Sequence, residues 1–172
     1  ELGIDQPDWE ELQTLEDELQ FMQDQTVNGR TLTVLCCPKS RSKAENVNYA
    51  LPACTGNVVA ILDADHRPLP NVLSEVENLW QPDIAAVQGA CIVRNRETNL
   101  LTRFISIEQE LVFNVHHQGG SKWRDFAVFG GSNGYWDKEA LTVLLMDKSA
   151  LTEDIDASMR ALRHGFRIQF ER

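Results

Sequence analysis

The feature that most constrains the fold of this chain is an uninterrupted apolar run, residues 58–62, that ends in Asp63 and Asp65. Turn-forming residues precede the run, and Pro68 follows it. An apolar run of this length is typical of a central strand in a parallel sheet, covered on both faces. Because ligands of such sheets bind beyond the carboxyl ends of the strands, the two aspartates are expected at a binding cleft.

A single small residue separates the two aspartates, and carboxylates this close repel each other unless a cation lies between them. A hard divalent ion such as Mg²⁺ or Mn²⁺, holding a diphosphate, is the usual partner of such oxygen ligands. The pattern therefore predicts a metal and phosphate site at Asp63 and Asp65. The alternative is a turn in which an aspartate bonds its own backbone ahead of Pro68.

Strand and helix patterns alternate along the rest of the chain. The expected strands lie at residues 31–37, 85–93 and 166–170, and a brief strand from residue 126 runs into the glycine-rich turn 130–134. The expected helices lie at residues 44–51, 72–80 and 100–117, and a last one opens at Thr152 and is closed by Gly165. This alternation favours an α/β sandwich with a mostly parallel sheet flanked by helices.

Side-chain spacing predicts one apolar row on each of two helices. The long helix carries Phe104, Ile107, Leu111 and Val115, and the last helix is expected to turn Ile155, Met159 and Leu162 inward. The adjacent pair His116 and His117 is expected on the helix surface.

Charge divides the chain into two parts, because residues 1–29 carry nine acidic residues and no lysine or arginine. Residues 1–30 are therefore interpreted as an acidic segment with an amphipathic helix at 8–24, and residues 31–172 as a partial catalytic domain. The remainder is nearly neutral and lacks the basic face that binds nucleic acid, so nucleic acid is an unexpected partner. No stretch approaches the roughly 20 apolar residues that cross a bilayer, so the chain itself is expected to be soluble.

The cysteines have neither the paired spacing of a zinc site nor the density of a disulfide scaffold. Buried thiols in a reducing compartment are expected instead; the residues concerned are Cys36, Cys37, Cys54 and Cys91.

Three further segments carry groups suited to chemistry, and each also has an ordinary explanation. Glu153 and Asp154 could sit at a helix N-terminus only because the exposed amides favour carboxylates there. The glycine-rich turn could be a tight corner, and Lys43 an ordinary surface lysine.

Taken in order, four segments resemble the successive motifs of family 2 glycosyltransferases, especially the cellulose-synthase-like branch. They are residues 42–48, 62–65, 129–134 and 152–154. The resemblance runs over about residues 31–172 and implies a GT-A-like sandwich for a nucleotide-diphosphosugar transferase, incomplete at both ends. Relatives carry an Ile-Pro-x-x-Asn-Glu strand, an Asp-Asp-x-Ser turn and, in processive members, a Gln-x-x-Arg-Trp motif that this sequence lacks, so the isolated chain is expected to be inactive.

The resemblance implies a role for each motif residue. Asp63 and Asp65 would hold a divalent ion that bridges the donor diphosphate, with Asp65 the more direct ligand, and Lys43 and Asn48 would lie near the nucleotide sugar. Asp154 would be the general base that deprotonates the acceptor hydroxyl. The residues expected at the acceptor are Gly131, Ser132, Asn133 and Glu153.

The expected function is therefore inverting, metal-dependent transfer of a sugar, with a UDP-sugar as the expected donor and a glycan or glycolipid as acceptor. The resemblance alone places the parent protein at the cytoplasmic face of a membrane. A metal-dependent phosphotransferase or NTPase is disfavoured because no Gly-x-x-x-x-Gly-Lys loop occurs. A calcium-binding module is also disfavoured, because the segment after Asp63 lacks the glycine and the terminal glutamate of a calcium-binding loop. A non-catalytic scaffold of glycosyltransferase type stays an alternative.

Overall fold

The computed structural model describes residues 31–172, together with Phe21, Gln23, Thr26, Val27, Gly29 and Arg30. The chain divides into two compact units, residues 1–39 and residues 40–172. Most of the amphipathic helix expected at 8–24 therefore lies outside the described residues.

In the first unit, strand β1 (Thr26–Val27) pairs antiparallel with β2 (Arg30–Thr31). The strand expected at 31–37 is wrong beyond Thr31, because residues 32–37 have no regular secondary structure. A strand is stable only where a neighbour accepts its backbone hydrogen bonds, and here the amide of Val34 donates to the side chain of Gln23 at 2.9 Å. The expectation of buried thiols is also wrong, because Cys36 is exposed and Cys37, Cys54 and Cys91 are only half-buried.

The second unit is built on a four-stranded sheet in the order β3-β5-β4-β6. These strands are β3 (Val58–Ile61), β4 (Ile84–Gly89), β5 (Gly134–Asp137) and β6 (Arg167–Glu171). β5 is antiparallel to both of its neighbours, and β4 is parallel to β6. Three of the four strands therefore point the same way, as expected for a mostly parallel sheet, with one reversed strand between them.

β3 lies at an edge of this sheet, which corrects the expectation of a central strand covered on both faces. Among the described residues its one strand partner is β5, and Val58 is 41% exposed whereas Ile61 is buried. The reversed strand is also displaced along the sequence: it follows the glycine-rich turn instead of preceding it. An apolar run specifies a strand but not which neighbours will pair with it.

Four helices of the second unit lie where the sequence patterns predict them, whereas the two at residues 120–124 and 138–144 were not predicted. In chain order, the helices are α1 (Lys43–Ala50), α2 (Val72–Leu79), α3 (Leu100–Glu110), α4 (Gly120–Arg124), α5 (Lys138–Leu144) and α6 (Glu153–Arg163). Ser42 caps α1 by accepting from the amide of Glu45, and Asn99 and Thr102 form a reciprocal capping box on α3. These local signals explain why the helix starts could be read from the sequence.

α3 continues without a break into a π-helix, Leu111–Gly119, and then into α4. The apolar row of this long element faces outward; its residues Phe104, Ile107, Leu111 and Val115 are each more than half exposed. His117 is half-buried and stacks on Phe113 and Phe170, so the expectation of a surface residue is wrong for His117, whereas His116 is exposed. No helix among the described residues is both long and apolar enough to span a bilayer.

The core lies between the sheet and helices α5 and α6. Its large members are Phe129, Trp136, Leu141 and Ile168, with the Phe129 ring packed edge-on against Trp136. α6 turns its small residues inward, namely Ala157, Ser158 and Ala161. Ile155 and Met159 are 45% and 39% exposed, which corrects the expected inward row. Small side chains let the helix backbone approach the close-packed sheet, and the apolar pattern alone does not reveal that choice.

Candidate functional site

The topology brings four chain segments to one end of the sheet, the end at which the parallel strands terminate. β3 and β4 point the same way, so both terminate at this end, and the reversed strand β5 begins there, with Ile61 and Gln88 both paired to Gly134. α6 leads into β6, which is parallel to β4, and the first turn of α6 therefore lies at the same end of the sheet. Open sheets bind their ligands at this end, beyond the carboxyl ends of the strands.

The loop after β3 gathers three potential metal ligands. The amide of His66 donates to the carbonyl of Asp63 at 3.0 Å, which closes a tight turn. Ligand atoms of Asp63, Asp65 and His66 consequently lie within 4.8 Å of one another. Both aspartates are exposed and His66 is half-buried.

Lys43, the first residue of α1, lies against this loop. Its ammonium forms an ion pair with Asp63 and donates to the carbonyl of Gly131 at 2.5 Å. The hydrogen bond from Lys43 is the main reason why the pKa of Asp63 is lowered; burial opposes the shift, while the charges of Lys43 and His66 assist it. Asp63 is thus held as a carboxylate, and part of its coordinating capacity is already used by Lys43.

The glycine-rich turn is the point at which the loop and α6 meet. Gly131 has a φ of +87°, and a Cβ added there would lie 2.9 Å from Oδ2 of Asp154. A side chain at position 131 would therefore meet both backbone strain and the carboxylate. The carbonyl of Gly131 accepts from Lys43, and its Cα faces Asp154. The turn therefore lies between the Lys43–Asp63 ion pair and the carboxylate of Asp154.

Asp154 is in the first turn of α6, where its Oδ1 accepts from the amide of Ile155 at 2.8 Å. Ser158, one turn later, donates to the carbonyl of Asp154 at 2.8 Å and accepts from the amide of Phe129 at 2.9 Å. This buried hydroxyl ties the start of α6 to the segment that leads into the glycine-rich turn. Asp154 and its neighbour Glu153 are both half-buried.

Two of the expected site residues have structural partners. The side chain of Asn48 donates to the carbonyl of Met146 at 2.7 Å and accepts from the amide of Met146 at 2.9 Å, so it holds α1 to the segment after α5. Ser132 is 7% exposed, and its hydroxyl accepts from the amide of Asp63 at 2.8 Å. Contact of Asn48 with the nucleotide and of Ser132 with an acceptor stay predictions.

Sequence reasoning did not single out His66 or Gln88. Nδ1 of His66 lies 2.9 Å from the hydroxyl of Ser132, and the Gln88 amide bonds the glycine-rich turn. The signal for His66 was its position directly after Asp65, next to the expected metal site. Gln88 interrupts an otherwise apolar strand, and a buried polar residue in a strand needs partners.

The donor set suits a divalent ion of the Mg²⁺ or Mn²⁺ type. Carboxylate oxygens bind both ions, and an imidazole nitrogen is a softer donor than either aspartate. Asp65 and His66 could hold the ion, with Asp63, already paired with Lys43, as a further ligand.

A groove of about 610 Å³ lies elsewhere, along α3 and the π-helix. Ser106, Ile107, Leu111 and Val115 line part of it, and it includes none of the expected site residues. The candidate site is therefore identified by the proximity of its side chains at the carboxyl ends of β3 and β4, and not by the size of a cavity.

Comparison with known proteins supports the family resemblance seen in the sequence. Residues 58–171 match the glycosyl transferase family group 2. "Probable glucomannan 4-beta-mannosyltransferase 1" of Arabidopsis thaliana is 32% identical over 115 residues, which cover 65% of this chain and 21% of that protein. "Probable glycosyltransferase YdaM" of Bacillus subtilis (strain 168) is 35% identical over 136 residues, which cover 77% of this chain and 32% of that protein. The chain thus spans a fifth to a third of the length of these relatives.

A solved structure shares the fold. It is the mannosyltransferase PcManGT from Pyrobaculum calidifontis in complex with GDP-Man and Mn²⁺. The TM-score is 0.56 at 22% sequence identity, and the match covers 78% of this chain and 35% of the other. At that identity the likeness concerns the fold, an α/β arrangement of GT-A type.

Proposed function

Because this chain belongs to the glycosyl transferase family group 2, we propose that it carries the metal and base residues of a transferase that moves a sugar from a nucleotide-diphosphosugar to a glycan or glycolipid acceptor. One observation carries the proposal: Gly131 lies between the Lys43–Asp63 ion pair and Asp154. Residues from distant parts of the sequence meet there, and they provide the two groups that sugar transfer requires, a candidate metal site and a candidate base.

The metal side of the site consists of Asp65 and His66, supported by Asp63. Mg²⁺ or Mn²⁺ held there would neutralise the charge that develops on the leaving nucleoside diphosphate. Lys43 lies beside the same loop, where its ammonium would provide a further positive charge for the diphosphate. Asn48 stays the proposed nucleotide contact on α1.

The base side of the site is Asp154. Its carboxylate faces the turn at Gly131, so an acceptor hydroxyl bound over the turn can give its proton to this group while it attacks the anomeric carbon. A single displacement from the face opposite the leaving group inverts the anomeric configuration. Gly131, Ser132, Asn133 and Glu153 form the proposed acceptor side.

The donor sugar is proposed only as a class, a nucleotide-diphosphosugar. A UDP-sugar is the expectation from the family resemblance, whereas the Arabidopsis relative is named a mannosyltransferase and the structural neighbour is a complex with GDP-Man. GDP-mannose is therefore the first alternative to UDP-sugars. The parent protein is proposed to act at the cytoplasmic face of a membrane, on the family resemblance alone.

The proposal is tested by calorimetric titration of the intact protein with GDP-mannose and with UDP-sugars, with and without Mn²⁺. We expect donor binding that depends on Mn²⁺ and is abolished in Asp65→Ala. Glu108→Ala, an exposed acidic residue on α3, is the control and should bind like the wild type. Equal donor affinity in Asp65→Ala and the wild type would remove the metal role, and binding without turnover would favour the scaffold alternative.

A further inference from the structure

We propose that Gln88 is a positioning residue that sets the spacing between the metal loop and Asp154 by holding the glycine-rich turn in place. The inference rests on the proposed function of the same site. Among the described residues, the hydrogen bonds of the Gln88 side chain all go to backbone atoms of Gly89 and the turn, so it would act through the turn.

Both ends of the Gln88 amide are bonded to backbone at the turn. Gln88 lies near the end of β4 and is 1% exposed. Its Oε1 accepts from the amide of Gly130 at 2.8 Å. Its Nε2 donates to the carbonyl of Ser132 at 3.0 Å and to that of Gly89 at 2.7 Å. A buried amide with acceptor and donor both satisfied fixes the orientation of the groups it bonds.

The turn depends on hydrogen bonds from outside because its own residues do not specify its backbone conformation. Gly131 has a φ of +87° and Asn133 a φ of +52°, and three of the five residues at 130–134 are glycines. Glycine backbones have many accessible conformations, so the local sequence does not select one of them. The end of β4 supplies the missing restraint, through Gln88 and through the amide of Gly89, which donates to Asn133 at 2.8 Å.

The metal loop, Lys43 and Asp154 all lie against this turn. The hydroxyl of Ser132 accepts from the amide of Asp63 and lies 2.9 Å from Nδ1 of His66. The carbonyl of Gly131 accepts from Lys43, and its Cα faces Asp154. A displacement of the turn would therefore move the metal loop and change its distance from the base at the same time.

Two substitutions separate hydrogen bonding from space filling. Gln88→Met keeps the length of the side chain and removes its hydrogen bonds. Gln88→Glu keeps the shape but places a carboxylate against the carbonyls of Gly89 and Ser132. Val87→Ala is the matched control, since Val87 is the preceding residue, is fully buried and packs with Tyr135, Val76 and Ile84 in a second apolar cluster, separate from the core described above.

The experiment measures hydrogen exchange of the amides at 129–134 and Mn²⁺ affinity by titration of the electron paramagnetic resonance signal. Both Gln88 variants should exchange Gly130 faster than Val87→Ala does, and should bind Mn²⁺ at least about tenfold more weakly than wild type, the scale of a lost supporting partner of a metal ligand. Val87→Ala should lower the melting temperature while its turn exchange and Mn²⁺ affinity stay close to those of the wild type.

A Gln88→Met variant with wild-type Mn²⁺ affinity and a protected Gly130 amide would overturn the inference. If the wild type binds no Mn²⁺, the metal part of the proposed function fails, and the exchange of Gly130 alone decides the role of Gln88. If neither Gln88 variant folds, Ser132→Ala provides the test: it should weaken Mn²⁺ binding while Gly130 stays protected, and unchanged Mn²⁺ binding would contradict the coupling.

Discussion

At the scale of single residues, Gly131 lies against both sides of the proposed site, with its carbonyl bonded to Lys43 and its Cα facing Asp154. Gly131→Ala would introduce a Cβ at a φ of +87° and 2.9 Å from the Asp154 carboxylate. The backbone strain should lower the free energy of unfolding by about 1–2 kcal/mol. The contact with Asp154 should in addition lower the rate of sugar transfer, measured by product formation under donor saturation.

The matched control is Gly165→Ala. Gly165 has nearly the same backbone, with a φ of +85°, but no atom lies within 4 Å of its added Cβ. This variant should lose a similar amount of stability, measured by denaturant unfolding, and keep its turnover. Equal loss of turnover in both variants would show that strain, and not the approach to Asp154, is responsible.

Asp154 is the second residue with a specific expected effect. In the intact protein, Asp154→Asn keeps the shape of the side chain and removes the proton acceptor, so turnover should fall by roughly 10²-fold or more, the scale of a lost general base. Donor binding should stay near the wild-type value, because the metal ligands are unchanged. Calorimetry and a transfer assay on the same preparation separate the two effects, and retained turnover would remove Asp154 from the mechanism.

Sequence reasoning named Asp63 and Asp65 from the residues themselves, because two carboxylates end an apolar run, whereas it named Asp154 through the family resemblance. It did not name Gln88, whose importance lies in the backbone atoms that it bonds across 42 and 44 residues of sequence. The role of Ser132 shows the same limit: its serine type fits an acceptor contact, but its hydroxyl is bonded to the metal loop. Such partners depend on tertiary packing, which local patterns do not encode.

At the scale of elements, the parallel pair β4 and β6 is joined at its start by Asp83 and Arg167. The Arg167 guanidinium donates to the Asp83 carboxylate at 2.5 and 3.1 Å, and this bond is the main reason why the pKa of Asp83 is lowered. A carboxyl whose pKa is lowered by folding stabilises the folded state at any pH above its ordinary pKa. This contribution is lost as the pH falls through the pKa of the folded state.

Asp83→Asn should therefore lower the melting temperature at neutral pH, and the gap to the wild type should close as the pH falls below 3.8. The effect should be small, because both side chains are partly exposed and water screens the pair. Melting curves from neutral to acid pH are the measurement, with Glu108→Gln as control. A gap that stays constant over this range would show that the charge of Asp83 does not contribute.

Helices α1, α2, α3 and α6 could be predicted from the sequence, whereas α4, α5 and the positions of two strands could not. Capping residues such as Ser42 and Asn99 act through neighbouring amides, so helix starts are local events. A strand depends on its partner: β5 is paired on both sides, by β3 and β4, whereas the apolar segment before the turn has one bond to β6, from Ala127 to Ile168 at 2.7 Å. The sequence shows which segments are apolar, and pairing decides which of them become strands.

At the scale of the whole second unit, the strand directions account for the location of the site. Four segments meet at one end of the sheet, and the family match covers all of them. They are the ends of β3 and β4 and the beginnings of β5 and α6. If this account is correct, a metal bound at the loop after β3 lies near the first turn of α6 and far from its last turn. The 11 residues of α6 span about 16 Å, enough to give a clear gradient.

Paramagnetic relaxation by bound Mn²⁺ measures that gradient directly, residue by residue, in the amide resonances of α6. The account predicts the strongest broadening at Glu153 and Asp154, a steady decline towards Arg163, and loss of the whole effect in Asp65→Asn. Broadening that is uniform along α6, or strongest at Arg163, would contradict the claim that the metal ligands and the base share one site.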